Sequence, residues 1–371
     1  MKLSATQKNL SKGLTLVSRA VGNAATLPVL ANILMETEKG RLRLSATDLE
    51  IGVITWVGAK VEVDGSTTVP ARTLVEFVNN NNDETISFKT DKEKIIALSE
   101  SFKAEIPGIA ATEYPSIPSI EKGTSFSLSK NELLTALSVV VVATAVDEAR
   151  PALAGVYLKG KNNSINIAAT DSFRLAEYIL ETNDLNGELE VIIPSRAVHE
   201  AVRIMSAEDI DVVQFVASNN QVQITVGDSI IVTRLIEATF PEYTKVIPTD
   251  FVTEVVLDSA NIANALRMAS VFTTNQANNV HIKIEDQNVR LTSVASQYGQ
   301  EVSALDAEVM HNTNEKTLDI AFNTRYLLDA VNAAAGSKII IKFAGPTAPA
   351  VVANPDMPSY QHIVMPIRVS N

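Results

Sequence analysis

One strand-helix opening is written three times along this chain. It reads KLSATQKNLSKGLTLVSRAV from Lys2, FSLSKNELLTALSVVVVAT from Phe126 and EVVLDSANIANALRMASVF from Glu254. In each copy apolar residues recur at helical spacing: Leu10, Leu14 and Val17; Leu133, Leu137 and Val140; Ile262, Leu266 and Ala269. Ser4, Ser129 and Asp258 stand before the helices as expected N-caps. Each opening is followed by alternating strand patterns, with turn signals at Lys39-Gly40 and Asn162-Asn163. A second strand-to-helix segment follows: STTVPARTLVEFV, LEVIIPSRAVHEAVRIM and TLDIAFNTRYLLDAVNAA. The landmarks keep step: Thr47-Asp48 lies 123 residues before Thr170-Asp171, and Tyr114-Pro115 lies 126 before Phe240-Pro241. A shared offset at several landmarks in one order marks a domain-sized internal repeat.

The repeat predicts three α+β domains, at 1–122, 123–250 and 251–371, with linkers after Pro118 and Pro248. Each offers two helices and roughly eight strands, enough for helices packed on β-sheets as a layered domain. The predicted helices are 6–21, 71–80, 129–142, 195–206, 260–272 and 323–335.

Charge separates along the same pattern. The six helix windows hold nine basic residues (Lys8, Lys12, Arg19, Arg72, Lys130, Arg196, Arg203, Arg267 and Arg325) against four acidic ones (Glu76, Glu132, Glu200 and Asp329). They carry +5 in a chain whose net charge is −12. Lys and Arg are good helix formers, but Glu is as good and is under-used there. A positive helical surface on an acidic body suits phosphates held without base reading. If such helices line a closed hole, packed about 8–10 Å apart, six of them enclose only about 7 Å and twelve about 25 Å. A duplex therefore needs two copies of the chain, and closure needs a head-to-tail contact between the first and third domains.

Catalytic patterns are missing. With no cysteine, thiolate metal sites, disulfides and Cys nucleophiles are excluded. His199, His281, His311 and His362 are scattered without ligand spacing, and no HExxH, P-loop or GxSxG occurs. Asp48 and Asp171 hold the same place in two repeats, which fits a turn role better than an acid/base pair. The N-terminus has no apolar signal-peptide core, and no apolar run reaches the roughly 18 residues of a membrane helix, so a soluble, cytoplasmic protein is expected. A β-rich protein-binding scaffold, its positive helices incidental, is the alternative from another class.

Several motifs carry a family resemblance from end to end: TLPVLANIL near residue 26, SATDLE at 45–50, TVPAR at 68–72, AATDSFRLA at 168–176, FPEY at 240–243 and VMPIR at 364–368. Together they resemble the bacterial DNA polymerase III beta subunit, the beta sliding clamp family. The resemblance implies a DNA clamp fold: a ring formed as a head-to-tail homodimer, sliding on double-stranded DNA without regard to sequence. It implies a processivity factor for the replicative polymerase, with no active site, no cofactor, no metal and no membrane. The nine basic helix residues would then face DNA. Polymerase and clamp-loader subunits would dock through short peptide motifs in a pocket using Leu153, Thr170, Ser172, Phe173, Arg174, Leu175, Pro241, Lys245, Val246, Tyr326, Val364, Met365, Pro366, Ile367 and Arg368. Arg174 and Lys245 would meet polar groups at its rim. The dimer interface would use Phe102, Ala104 and Ile106 with the helix end at Val271-Phe272. Ser172-Phe173 replaces the family's frequent Gly-His, Asn23-Ala24-Ala25 stands where a basic residue sometimes occurs, and the third repeat lacks the Thr-Asp pair around Ser293.

Overall fold

A computed structural model of the chain describes residues 1–22, 27–147, 149–182, 184–185, 187–273, 279–295 and 299–367. Six α-helices occur among them: α1 (Gln7–Val17), α2 (Ala71–Asn79), α3 (Lys130–Val140), α4 (Ser195–Ala207), α5 (Ser259–Val271) and α6 (Thr324–Ala334). All six sequence windows hold a helix, and two finish differently: α1 and α3 tighten into 3-10 turns at Ser18–Ala20 and Val141–Ala143. Asp258 caps α5 by accepting from Asn261 N–H. The expected cap at Ser4 is corrected: Ser4 lies inside the strand Lys2–Thr6, and Thr6 accepts from Asn9 N–H. The cap belongs where extended backbone gives way to helix, and that point is two residues later.

Contacts gather into two compact units. The first comprises Met1–Asn131, Asp184–Gly187 and Arg196–Leu235; the second comprises Glu132–Asn183, Glu188–Ser195 and Ile236–Asn371. The middle repeat is shared between them. In the first unit an eight-stranded antiparallel sheet runs from Thr124–Ser129 through Val212–Ala217, Gln221–Val226, Ser229–Arg234, Ile51–Val57, Arg41–Thr47 and Asn32–Glu38 to Ser66–Pro70. A five-stranded sheet beside it ends at Lys103–Pro107. In the second unit a nine-stranded sheet joins Arg174–Glu181 to Tyr360–Val364, and a four-stranded sheet ends at Gly299–Leu305.

Period-2 patterning explains which face is buried. Along Arg41–Thr47, Leu42, Leu44 and Ala46 point into the core, while Arg41 and Arg43 stay partly exposed. Helix α1 lays Leu10, Leu14 and Val17 on that face, each such burial worth about 1.5–3 kcal/mol. Gly13 allows the close approach, because a Cβ there would sit 2.4 Å from Val57 Cγ2. Helices α1 and α2 pack together in the first unit, and α5 and α6 in the second.

Register shows the repeat residue by residue. Leu3, Phe88, Ala97 and Ala104 form one row of facing residues across four strands. Phe126, Phe215, Ile224 and Ile231 form the second, and Val255, Ile341, Val352 and His362 the third. Two rows continue across a domain junction: Ile231 faces Val53, which faces Ala46; His362 faces Ala176, which faces Ala169. The first row stops at Ala104 on an edge strand, and the matching pair Ser293 and Glu301 stops at another edge strand. Among the described residues no helix is long and apolar enough to cross a membrane.

Candidate peptide-docking site and cationic helix surface

The proposed pocket residues collect in the second unit around one turn. Thr170 Oγ1 donates to Arg174 O at 2.6 Å and accepts from Ser172 N–H at 3.1 Å. Asp171 Oδ1 accepts from Phe173 N–H at 2.9 Å and Arg174 N–H at 3.0 Å. Thr47 and Asp48 make the same bonds in the first unit, to Ile51 O and from the Leu49, Glu50 and Ile51 amides. Both Thr-Asp pairs therefore fasten a turn, as their symmetry predicts. Leu49 and Ser172 each take φ 80° in these turns.

The turn sets Phe173 at the surface beside Tyr326, ring centroids 6.4 Å apart and stacked. Tyr326 in turn lies under the Arg174 guanidinium, 4.6 Å from its ring centre. Met365 donates its N–H to Phe173 O at 2.9 Å, which ties the last strand to the turn. Pro366 bridges Phe322, and Ile367 N–H reaches Ala321 O. Phe173, Met365, Val246 and Pro241 are exposed at the rim. Beneath them Leu153 and Leu175 are buried in a core cluster with Tyr157, Phe240, Tyr243 and Ile363. Val364 and Thr170 are buried as well, so these residues form the floor, and Arg368 lies outside the described residues.

One of the two expected rim charges is placed differently. Arg174 is buried, with Nε on Asp171 at 3.0 Å and Nη1 on Asp329 at 2.5 Å, so its guanidinium is consumed inside the protein. Lys245 is exposed but paired with Glu242 at 2.7 Å. Sequence reasoning missed Arg150, whose Nη1 donates to Ser172 Oγ at 2.8 Å, and Asp329, which shares a helix face with Tyr326 three residues earlier. That spacing was the available signal for Asp329. It also missed Glu177, a buried carboxylate accepting from Tyr243 Oη at 2.7 Å and Gln361 Nε2 at 2.8 Å. Burial, then Glu177, pushes the Tyr243 hydroxyl above its ordinary pKa. The arrangement offers an apolar slot with an aromatic rim, suited to an extended peptide. Among the described residues no His, Asp and Glu cluster could hold a metal.

The nine basic helix residues divide by partner. Lys8, Arg19, Arg267 and Arg325 are exposed, with no side-chain partner among the described residues. Arg72 pairs with Glu76 on its own helix at 2.9 Å. Lys12 pairs with Glu208 at 2.8 Å, and Lys130 donates to Glu208 O at 3.1 Å. Arg196 bonds Asp48 and Arg19 O. Arg203 is mostly covered: it pairs with Glu200 and donates to Thr15 O and Leu16 O at the end of α1. Arg203 thus satisfies carbonyls that a helix end leaves orphaned, a structural use that sequence did not show.

At the expected interface Phe102 and Val271 are half-exposed or more, Phe272 is partly covered and Ala104 is on the edge strand, whereas Ile106 is buried against Ile95. The strand Gly299–Leu305 is a second sheet edge, which sequence reasoning did not name.

Three repeats of one strand-and-helix pattern, joined through continuous antiparallel sheets, define a clamp-class protein. Comparison with known families makes that specific. Profiles of the N-terminal, central and C-terminal domains of the DNA polymerase III beta subunit match residues 1–118, 127–242 and 244–368. The beta sliding clamp of Synechococcus elongatus is 31% identical, over all of both chains. The Thermotoga maritima beta subunit structure is 26% identical, with TM-score 0.91 over all of both chains. The Bartonella birtlesii clamp, solved bound to griselimycin, is 26% identical with TM-score 0.93 over all of both chains. The chain belongs to the DNA polymerase III beta subunit family, the beta sliding clamps. Its function is that of a DNA polymerase sliding clamp, a processivity factor rather than an enzyme.

Proposed function

We propose that two copies of this chain close head-to-tail around duplex DNA in the cytoplasm and hold the replicative polymerase there. The observation that carries this reading is the pair of unfinished rows. Two rows of facing residues cross a domain junction within the chain; the third ends at Ala104 and its counterpart begins at Glu301. An unpaired strand edge is costly to leave exposed, and pairing it with a second copy removes the edge. The same register sets Ala104 opposite the second copy's Glu301. Phe102 and Ile106 then flank the joint, and Val271 and Phe272 are assigned to its helical side.

In this reading the domains divide at 1–122, 123–250 and 251–371. The exposed cations Lys8, Arg19, Arg267 and Arg325 meet phosphates, and attraction to phosphate requires no base contact. Polymerase and clamp-loader subunits insert a short extended peptide over Leu153, Leu175 and Val364, between Phe173, Tyr326, Val246 and Met365. Retention on DNA tests it: protein loaded onto a nicked circle should stay in salt and be lost once the circle is cut. Equal loss from circles and linear DNA would refute encirclement.

A further inference from the structure

Helix α1 presents a solvent stripe of Lys8, Lys12 and Thr15, spaced for one helical face, and Arg19 is exposed in the 3-10 turn that follows it. Lys8 and Arg19 are unpartnered among the described residues, but Lys12 is not. The Glu208 carboxylate, just beyond α4, sits 2.8 Å from Lys12 Nζ, and the Glu208 carbonyl accepts from Lys130 Nζ at 3.1 Å. One residue therefore engages two of the cations that sequence assigns to DNA. Glu208 and Lys12 line a cleft of about 210 Å³ with Arg41 and Asp228, where Arg41 and Asp228 pair at 2.7 Å. The cleft's two cations are matched by two carboxylates. The Glu208 side chain is largely covered while Lys12 is half-exposed, so the anion is fixed and the ammonium is the mobile partner.

We propose that the Glu208 carboxylate is a resident stand-in for a DNA phosphate, holding Lys12 back from the duplex. This rests on the sliding-clamp reading above and specifies how firmly that surface grips. The Lys12 ammonium is half-exposed, so a phosphate can reach it and take the place of Glu208, but the exchange of one anion for another yields little net free energy. Lys8 and Arg19 then carry the phosphate binding of α1 and the turn that follows it, and Lys12 adds little. A weak, self-screened grip suits a protein that must move along its track.

Binding of a short duplex, titrated with salt, tests the proposal in the full-length protein. The Glu208→Gln variant should bind more tightly at low salt. Its plot of log affinity against log salt should steepen by about 0.9, because one lysine, Lys12, is released to a phosphate. Lys12→Ala should cost less than Lys8→Ala in the wild type and as much in the Glu208→Gln background. The double variant Lys12→Ala/Glu208→Gln should lose most of the added slope. An unchanged slope in Glu208→Gln overturns the proposal, as does equal loss from Lys12→Ala and Lys8→Ala in the wild type. Neither touches encirclement; failure of the wild type to distinguish circles from linear DNA strikes that reading instead.

Discussion

Two turns with one backbone sit in the two units: the first borders a cleft of about 230 Å³ lined by Leu49, Gly52 and Ile117, and the second carries the stacked pair Phe173 and Tyr326. Thr47–Ile51 and Thr170–Arg174 share their hydrogen bonds and their left-handed third residue. In both, the last strand ties in by one amide: Arg234 to Glu50 O, and Met365 to Phe173 O. The side chains then diverge. Where the second unit has Arg174 and Leu175, the first has Ile51 and Gly52. Gly52 is filled by the chain's own Ile117, whose Cγ2 would lie 2.7 Å from a Cβ added there. The place corresponding to Tyr326 on α6 is Ala197 on α4. Backbone repetition thus sets the turn, while the side chains around it decide what surface it presents.

The largest expected effect tests the buried cation that distinguishes the second turn. Arg174→Ala leaves Asp171 and Asp329 without their shared partner and should cost about 3 kcal/mol, near the low end for a broken buried pair because Asp329 is partly solvated. Denaturant unfolding checks it; a loss below about 1 kcal/mol, the range of an exposed pair, would mean the carboxylates find other partners.

Acid should separate the units next. His362 is wholly buried, with Nδ1 2.9 Å from Tyr360 Oη, and burial, then the Arg174 charge, holds its pKa down to about 3. A depressed folded pKa contributes stability that is present above the unfolded value of about 6.5 and is lost as pH falls toward 3. The second unit should lose about 1.4 kcal/mol per pH unit in that window from this group alone. His199, the one histidine of the first unit, is exposed. Hydrogen exchange resolved by segment should show the second unit loosening first, and His362→Gln should flatten its pH dependence.

Peptide affinity comes third. Phe173→Ala with Met365→Ala removes rim contacts without cutting the core and should weaken partner-peptide binding about tenfold, or about 1.4 kcal/mol. Unchanged affinity by titration calorimetry would move the slot elsewhere.

The smallest effect compares the left-handed positions themselves. Leu49→Gly should stabilise by about 1 kcal/mol, the cost of a side chain in that conformation. Ser172→Gly should stabilise less, because it forfeits the bond from Arg150. Thermal unfolding in the reverse order would refute the parallel between the turns.

The sequence displayed the fold because repeats and periodicity are local: all six helices and the Thr-Asp turns follow from neighbours in the chain, although the cap expected at Ser4 falls two residues later, at Thr6. It displayed the slot only in part. Rim and floor cannot be told apart from residue type, since Leu175 and Met365 look equally apolar and differ only in burial. Arg174 and Arg203 look like surface cations until Asp329 in one case and the Thr15 and Leu16 carbonyls in the other are brought to them across the fold. Net charge on a helix is legible in a sequence; which of those charges already has a partner is not.

Head-to-tail closure is tested most directly by cysteine pairing in a chain that has no cysteine of its own. Facing residues of antiparallel strands lie about 4.5–5.5 Å apart between Cα atoms, within disulfide reach. The double variant Ala104→Cys/Glu301→Cys, oxidised at low concentration, should give a covalent dimer of twice the 39.9 kDa chain on a non-reducing gel. Ala104→Cys/Val302→Cys, one residue out of register and on the opposite face, should not. Monomer alone from the first variant, or equal crosslinking by both, would contradict the joint on which the ring depends.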